Sequence, residues 1–302
     1  MDRPLNSIQD FLIDFTYYMG KRIRNSDKQS VYTYLLRKFE TELGYKVSFD
    51  AAQAAVIKSG YCLIGDAERA ETVFICPLDT SRKTYLPGYK LYPLNDKKRE
   101  RTDFLAMAYD ALLAIIIGLL INYLGGMLHM QTWLLIVITA VFLLGYTFLL
   151  NNRYTFSRSS ACALVSYIAA HSQGRKYAFA FVDRCADSYV GLRLFLLKNR
   201  EIFRKAHRII YFDCLAHSDK LLYVCGKDNA NSYPDQSGIF DECIVLDGDG
   251  EKTPVCFREN RRLIMITAAD EKNGEYYVDN IKKASDRSMN VERLEKIAGL
   301  FI

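Results

Sequence analysis

The sequence predicts an α/β protein, a layered sheet flanked by helices, with two membrane-spanning helices set into its middle. Three observations predict it. Residues 111–152 contain no Asp, Glu, Lys or Arg. On either side of that stretch, short β-rich runs alternate with helical patterns, the order that builds an α/β layer. The remaining residues, about 260 of mixed polarity, suffice for one large domain with a buried core.

In chain order, residues 8–43 read as helix. Ile8, Phe11, Leu12, Phe15 and Met19 recur at helical spacing, as do Val31, Leu35, Leu36 and Phe39. Gly44 is a natural stop before a strand at 45–49. Residues 59–65 and 71–79 read as strands, the second around Val73-Phe74-Ile75-Cys76. Polar and basic residues lead into the uncharged stretch. Beyond it, 159–171 reads as a helix with Cys162, Val165 and Ile168 on one face. Residues 177–183 and 208–213 read as buried strands, with a helix at 189–198 between them. Residues 220–225, 243–246 and 263–267 are further strands. An amphipathic helix closes the chain at 291–301, with Val291, Leu294, Ile297 and Leu300 inward.

A membrane helix needs about 20 apolar residues. The uncharged stretch provides two, near 111–128 and 133–150, joined by His129-Met130-Gln131-Thr132. Asp110 is expected near the lipid interface, since a carboxylate at the bilayer centre costs roughly 2.5–3.5 kcal/mol. Tyr123 and Trp133 flank the turn, and Tyr109, Tyr146 and Tyr154 lie toward the other end, as aromatic belts do. Lys97, Lys98, Arg99 and Arg101 precede the first helix, and Arg153 and Arg158 follow the second. The turn has no Lys or Arg, so the positive-inside rule puts both termini and the domain in the cytoplasm. Residues 1–20 show no signal-peptide pattern. Eight cysteines without a C-x-x-C pair fit buried free thiols in a reducing compartment. The net charge of +5 gathers beside the stretch, where anionic lipid attracts it. No nucleic-acid-binding motif is present, so that class of partner is excluded.

With these elements in place, the chain from about residue 28 to 302 resembles the zinc aminopeptidase family, which includes bacterial aminopeptidases, glutamate carboxypeptidase and, more distantly, glutaminyl cyclases. The helix, Leu43-Gly44-Tyr45 and strand match the family's opening. Val73-Phe74-Ile75-Cys76-Pro77-Leu78-Asp79-Thr80 resembles the strand ending in a His-x-Asp pair, with Pro77 at the zinc-binding His and Asp79 kept. Ser157, ahead of Ser160-Ala161-Cys162-Ala163, stands at the Asp that bridges two metals. Asp183, Gly191, Arg193 and Phe195 fall on family positions, while the Glu-Glu pair becomes Cys185 and Ala186. Ile209-Ile210-Tyr211-Phe212-Asp213 keeps a ligand Asp. Lys282 stands at the last zinc-binding His, and Asp286 is kept beyond it. The resemblance implies a mixed central sheet and a degenerate member of the family.

Chemically, two zinc ions need imidazoles and carboxylates converging at about 2 Å. Of the five ligands the resemblance implies, Asp213 alone survives. Pro77 and Ala186 offer no donor, Lys282 carries a like charge, and Cys185 cannot serve as general base without a metal to acidify water. No catalytic and no metal residue is expected, and no cofactor, zinc being required only if the site is active. Lys282 is expected either to supply Asp79 and Asp213 with the charge zinc once gave, or to lie on the surface in solvent. Cys185 reads as a structural thiol before a nucleophile. Residues 247–251 read as a turn before a calcium loop. His129 and Asn122 read as helix-contact groups.

The sequence thus predicts a peptidase-like domain split into residues 1–103 and 153–302 by a hairpin at 104–152. As a function it predicts a catalytically inactive binding or scaffold subunit of the cell membrane, partnered by lipid and an integral-membrane protein. Alternatives are an active aminopeptidase or a peptide sensor using the same cleft. Since the hairpin enters between the 77–80 strand end and the Ser157 helix start, the old site is expected close to the membrane.

Overall fold

A computed structural model describes residues 7–55, 57–151, 155–185, 189–216, 218–232, 238–246, 253–279, 281–282, 286 and 289–302. The chain opens on α1 (Ile8–Ile13), which widens into a π-helix over Asp14–Tyr18, and then α2 (Asn25–Leu35), which does the same over Leu36–Glu42. The single helix expected over 8–43 is therefore broken between Met19 and Asn25. The cause is Arg22, which turns inward and is fully buried. Its guanidinium donates to the carbonyls of Phe15 (2.6 Å), Met19 (2.7 Å) and Leu78 (2.6 Å). Two of those are carbonyls that a helix end leaves without a partner.

Ten strands form a mixed sheet. They are β1 (Val47–Ala54), β2 (Ile57–Ile64), β3 (Thr72–Pro77), β4 (Lys90–Leu91), β5 (Tyr177–Val182), β6 (Arg208–Asp213), β7 (Lys220–Gly226), β8 (Glu242–Leu246), β9 (Leu263–Lys272) and β10 (Glu275–Asp279). The centre, β5–β3–β6–β9, is parallel. β2 and β1 extend one side antiparallel, and β7 then β8 extend the other. The far half of β9 turns away to pair with β10, which carries β4. Short, half-buried β4 and β10 escaped the sequence reading because they bury few β-branched residues.

Side chains alternate across the sheet with period two. Phe74, Phe179, Phe212 and Ile264 face one layer; Val73, Ile75, Ala180, Tyr211 and Met265 face the other. Phe74 stacks between Phe179 and Phe212, with ring centroids 5.4 and 6.0 Å away. The first layer holds α1, α2, α5 (Phe156–His171) and the closing helix α9 (Val291–Gly299). The second holds α6 (Val190–Lys198), α7 (Arg200–Lys205) and α8 (Val255–Glu259). Leu294 and Ile297 are buried as expected. All eight cysteines are free, and seven are buried.

Two long helices stand apart from these layers. α3 (Asp96–Met127) starts well before the uncharged stretch, and α4 (Thr132–Asn151) returns antiparallel to it. Both are long and apolar enough to cross a membrane. Their side chains are largely bare: Leu119 is 65% exposed and Leu144 71%. They touch each other through Gly125, where an added Cβ would lie 2.0 Å from Leu135, and through Asn122, which donates to Thr139 (3.2 Å). Asp110 is buried at the base of the pair, where its carboxylate accepts from the Tyr85 backbone (2.8 Å).

Two charged residues expected beside lipid face protein instead. Arg99 is 2% exposed, paired with Asp96 at 2.6 Å. Arg158 is 1% exposed inside the domain. Lys97 and Arg101 are exposed, and Lys98 is paired with Glu275. Arg153, Tyr154 and residues 247–251 lie outside the described residues.

Gly191 lies in the first turn of α6, against the end of β5. A Cβ there would lie 1.7 Å from the Asp183 carbonyl oxygen, which is backbone and cannot yield cheaply. Gly191→Ala is therefore expected to lower the melting temperature of the purified protein by about 5 °C or more. An unchanged melting curve would contradict this packing.

Candidate functional site

In an open α/β sheet, ligands bind outside the carboxyl ends of the parallel strands. Here β3 runs out into Asp79, β5 into Asp183 and Cys185, and β6 ends at Asp213. The start of α5 brings Ser157 and Arg158 to the same edge. The structure thus gathers Pro77, Asp79, Ser157, Cys185 and Asp213 at one end of the sheet. Ala186 lies outside the described residues.

Asp213 is fully buried. The Arg158 guanidinium donates to its Oδ1, the Tyr189 hydroxyl donates to Oδ2 (3.0 Å), and the Cys214 thiol lies 3.1 Å from Oδ1. Burial opposes the Arg158 charge, yet Asp213 beside it holds the guanidinium's pKa above its ordinary value. Burial, reinforced by Asp213, pushes the Tyr189 phenol up, so it stays a donor. The Arg99 guanidinium caps the outer face of Tyr189 at 4.1 Å. A chain of contacts therefore runs from α3 through Tyr189 and Asp213 to α5. Cys214 and Tyr189 both hold left-handed backbone, at φ of 53° and 51°. Such strain persists only where surrounding contacts enforce it.

The other carboxylates are also engaged within the protein. Asp79 accepts from the Cys185 backbone N–H (2.9 Å). Asp183 takes the Lys28 ammonium on both oxygens, at 2.7 and 2.9 Å. Asp286 accepts from the Ser157 N–H (3.1 Å), the Ser157 hydroxyl (2.7 Å) and the Thr155 hydroxyl, anchoring the first turn of α5.

Lys282 does not supply the charge on Asp213. Its ammonium donates to Asp103 of α3 at 2.7 Å and lies 4.9 Å above the Tyr89 ring. The cation on Asp213 is Arg158, and Lys282 is 7% exposed, so it is not a solvated surface lysine either. Asp103 also accepts from the Tyr89 hydroxyl (2.6 Å), which holds the start of α3 over this edge of the domain. Arg158, Lys28, Tyr189 and Arg99 had no place in the sequence reading of the site. One signal pointed to Arg158: it is the lone charge in the Ser/Ala-rich opening of α5.

These residues do not fit a pair of zinc ions. Pro77 offers no donor atom, and its carbonyl accepts from the Cys162 thiol (3.0 Å). Asp213 has both oxygens occupied. Among the described residues, no group of three or more His, Cys, Asp or Glu side chains could hold a metal.

No family model matches the sequence, and no curated protein sequence matches it. Solved structures match it in fold. A Zn-dependent exopeptidase from Parabacteroides distasonis superposes with a TM-score of 0.56 at 11% identity, over 99% of this chain and 96% of that one. The fold is exopeptidase-like. The Legionella pneumophila LapA aminopeptidase gives 0.52 at 11% identity over 98% of this chain and 68% of its own. A glutaminyl cyclase from Macrostomum lignano gives 0.53 at 15% identity, over 97% and 86%.

Two outcomes test the site. Arg158→Met leaves a buried carboxylate without its counter-charge and is expected to cost about 3–5 kcal/mol of stability, most of it regained in the Arg158→Met, Asp213→Asn double variant. Denaturant unfolding of the three proteins measures this, and equal losses in the single and double variants would contradict the pairing. Burial pushes the Cys185 thiol well above its ordinary range, with Asp79, Asp183 and Asp213 adding to the shift. The thiolate is the reactive form, so iodoacetamide near neutral pH should leave Cys185 unmodified in the folded protein and alkylate it after unfolding.

Proposed function

We propose that this chain is a membrane-anchored exopeptidase-fold protein that has lost metal catalysis and serves as a binding or scaffold subunit of a membrane complex. The observation that carries the reading is the Arg158–Asp213 pair. It lies at the strand-end edge where the fold presents its chemistry, and a guanidinium there neutralises the carboxylate that the family resemblance assigns to zinc. A guanidinium has no lone pair to give a metal and cannot activate water. Pro77 and Lys282 at the positions of two zinc-binding histidines support the same conclusion.

Membrane anchoring is supported by the bare apolar faces of α3 and α4. A soluble monomer rarely leaves contiguous apolar surface of that extent uncovered. Gly126 and Gly145 are exposed, with open space where a Cβ would sit, so a partner helix can approach their backbones. The site is tied to the anchor by Arg99 on Tyr189 and by Asp103 on Lys282. From Arg99 to Asp110 the helix rises about 16 Å, so on this reading the site lies within a few helical turns of the base of the hairpin. A partner segment leaving the bilayer would meet this edge of the domain. The lack of Lys and Arg in the turn supports a cytoplasmic domain.

Three measurements test the reading. The protein purified in detergent should carry well under one zinc per chain and release no product from aminoacyl nitroanilides; about two zinc ions per chain with activity would overturn it. An integral-membrane protein should co-purify, and a clean monomer would count against the scaffold role. A tag in the 129–132 turn should be labelled from outside intact cells, and a C-terminal tag only after permeabilisation.

A further inference from the structure

Exposed aromatic residues outside α3 and α4 are concentrated in one place. Tyr17 (56% exposed) and Tyr18 (64%) are the barest large hydrophobic residues of the rest of the described chain; Tyr85 (45%) and Ile13 (43%) lie in the same two segments. Those segments, far apart in sequence, meet the base of the hairpin. The Tyr17 ring lies 6.0 Å from Phe156, the first residue of α5. The Lys21 ammonium lies 5.1 Å over the Phe148 ring in the last turn of α4. Tyr85 stacks on Tyr146 of α4 at 5.7 Å, and the Lys83 N–H donates to the Leu150 carbonyl at 2.9 Å. On α3, Phe104 (63%) and Met107 (65%) continue the exposed apolar surface at this end.

The charge on this rim is positive. Arg82 is exposed and Lys21 half-buried. The neighbouring acids are engaged within the protein: half-buried Asp10 accepts from the Ser7 N–H and hydroxyl, half-buried Asp14 accepts from Tyr34 of α2 (3.0 Å), and Asp110 accepts from the Tyr85 N–H. Tyrosine rings with one wet and one apolar end favour the headgroup layer, and lysine and arginine beside them favour anionic lipid.

We propose that the rim formed by Ile13, Tyr17, Tyr18, Lys21, Arg82 and Tyr85 beds into a headgroup layer containing anionic lipid, fixing the tilt of the domain on the membrane. This rests on the reading of α3 and α4 as membrane-spanning. The rim also supplies positive charge at the cytoplasmic side, in place of Arg99 and Arg158, which face protein. Two segments distant from the hairpin in sequence thereby act as its interfacial anchors.

The chain has a single tryptophan, Trp133, in the first turn of α4 beside the hairpin turn. This allows a two-position test on the full-length protein in nanodiscs doped with lipid brominated near the headgroup. The wild-type emission reports on the hairpin, and a Tyr18→Trp, Trp133→Phe variant reports on the rim; both substituted residues are exposed, so folding is expected to survive. Both tryptophans should be quenched, that at position 18 to about half its unquenched emission. Quenching there should be deeper in phosphatidylglycerol-containing discs than in phosphatidylcholine discs. Adding Lys21→Gln and Arg82→Gln should erase that difference. Quenched Trp133 with a water-like, unquenched tryptophan at position 18 overturns the rim and leaves the hairpin standing. Unquenched Trp133 overturns the hairpin, and the rim with it. Equal quenching in neutral and anionic discs overturns the charge preference.

Discussion

A carboxylate buried at the end of β6 needs a positive charge, and much of the arrangement around it follows from that need. Taking Asp213 out of water is costly unless its oxygens find a cation and donors. Arg158 provides the cation, Tyr189 and Cys214 the donors. Arg158 reaches it because α5 begins at the strand-end edge, where Asp286 ties down its first turn. Tyr189 reaches it because its left-handed backbone turns the chain into α6, and Gly191 lets that helix close on the end of β5. Arg99 then covers Tyr189, which brings α3 into the same network.

The contrast with a metal centre is one of exchange. A metal holds carboxylates together and keeps a position open for water or substrate. A guanidinium attached to α5 holds the carboxylate with no position to open. The neighbouring acids follow the same rule, Asp183 with Lys28 and Asp103 with Lys282. Each pair joins segments far apart in sequence, so the charges act as cross-links between α2, α3, α5 and the sheet. On the proposed reading, a catalytic edge has become a rigid one, suited to presenting a surface.

α3 serves both halves of the molecule. Its first turns carry Arg99 and Asp103 into the domain, and its remainder is bare and apolar. A continuous helix transmits orientation well, so a hairpin tilted in a bilayer would carry the strand-end edge with it. The contacts of Lys21, Lys83 and Tyr85 with α4 brace the same junction from the other side.

The sequence by itself determined the local features. Buried β-rich runs marked β3, β5, β6 and the start of β9, and β6 was delimited to the residue. The uncharged stretch announced two long apolar helices, and Pro77 and Lys282 announced altered chemistry within a resembled motif. These are legible because each depends on neighbours in the chain. Tertiary structure alone decided which cation meets which carboxylate. On the resembled frame Lys282 was either the cation for Asp79 and Asp213 or a solvated lysine, but it is buried against Asp103, 179 residues away in sequence, and Arg158 takes Asp213. The break at Met19–Arg24 was equally hidden: besides the nearby carbonyls of Phe15 and Met19, the inward Arg22 reaches Leu78, which only the folded chain brings within range. Charge pairing depends on distance in space, and the sequence records distance along the chain.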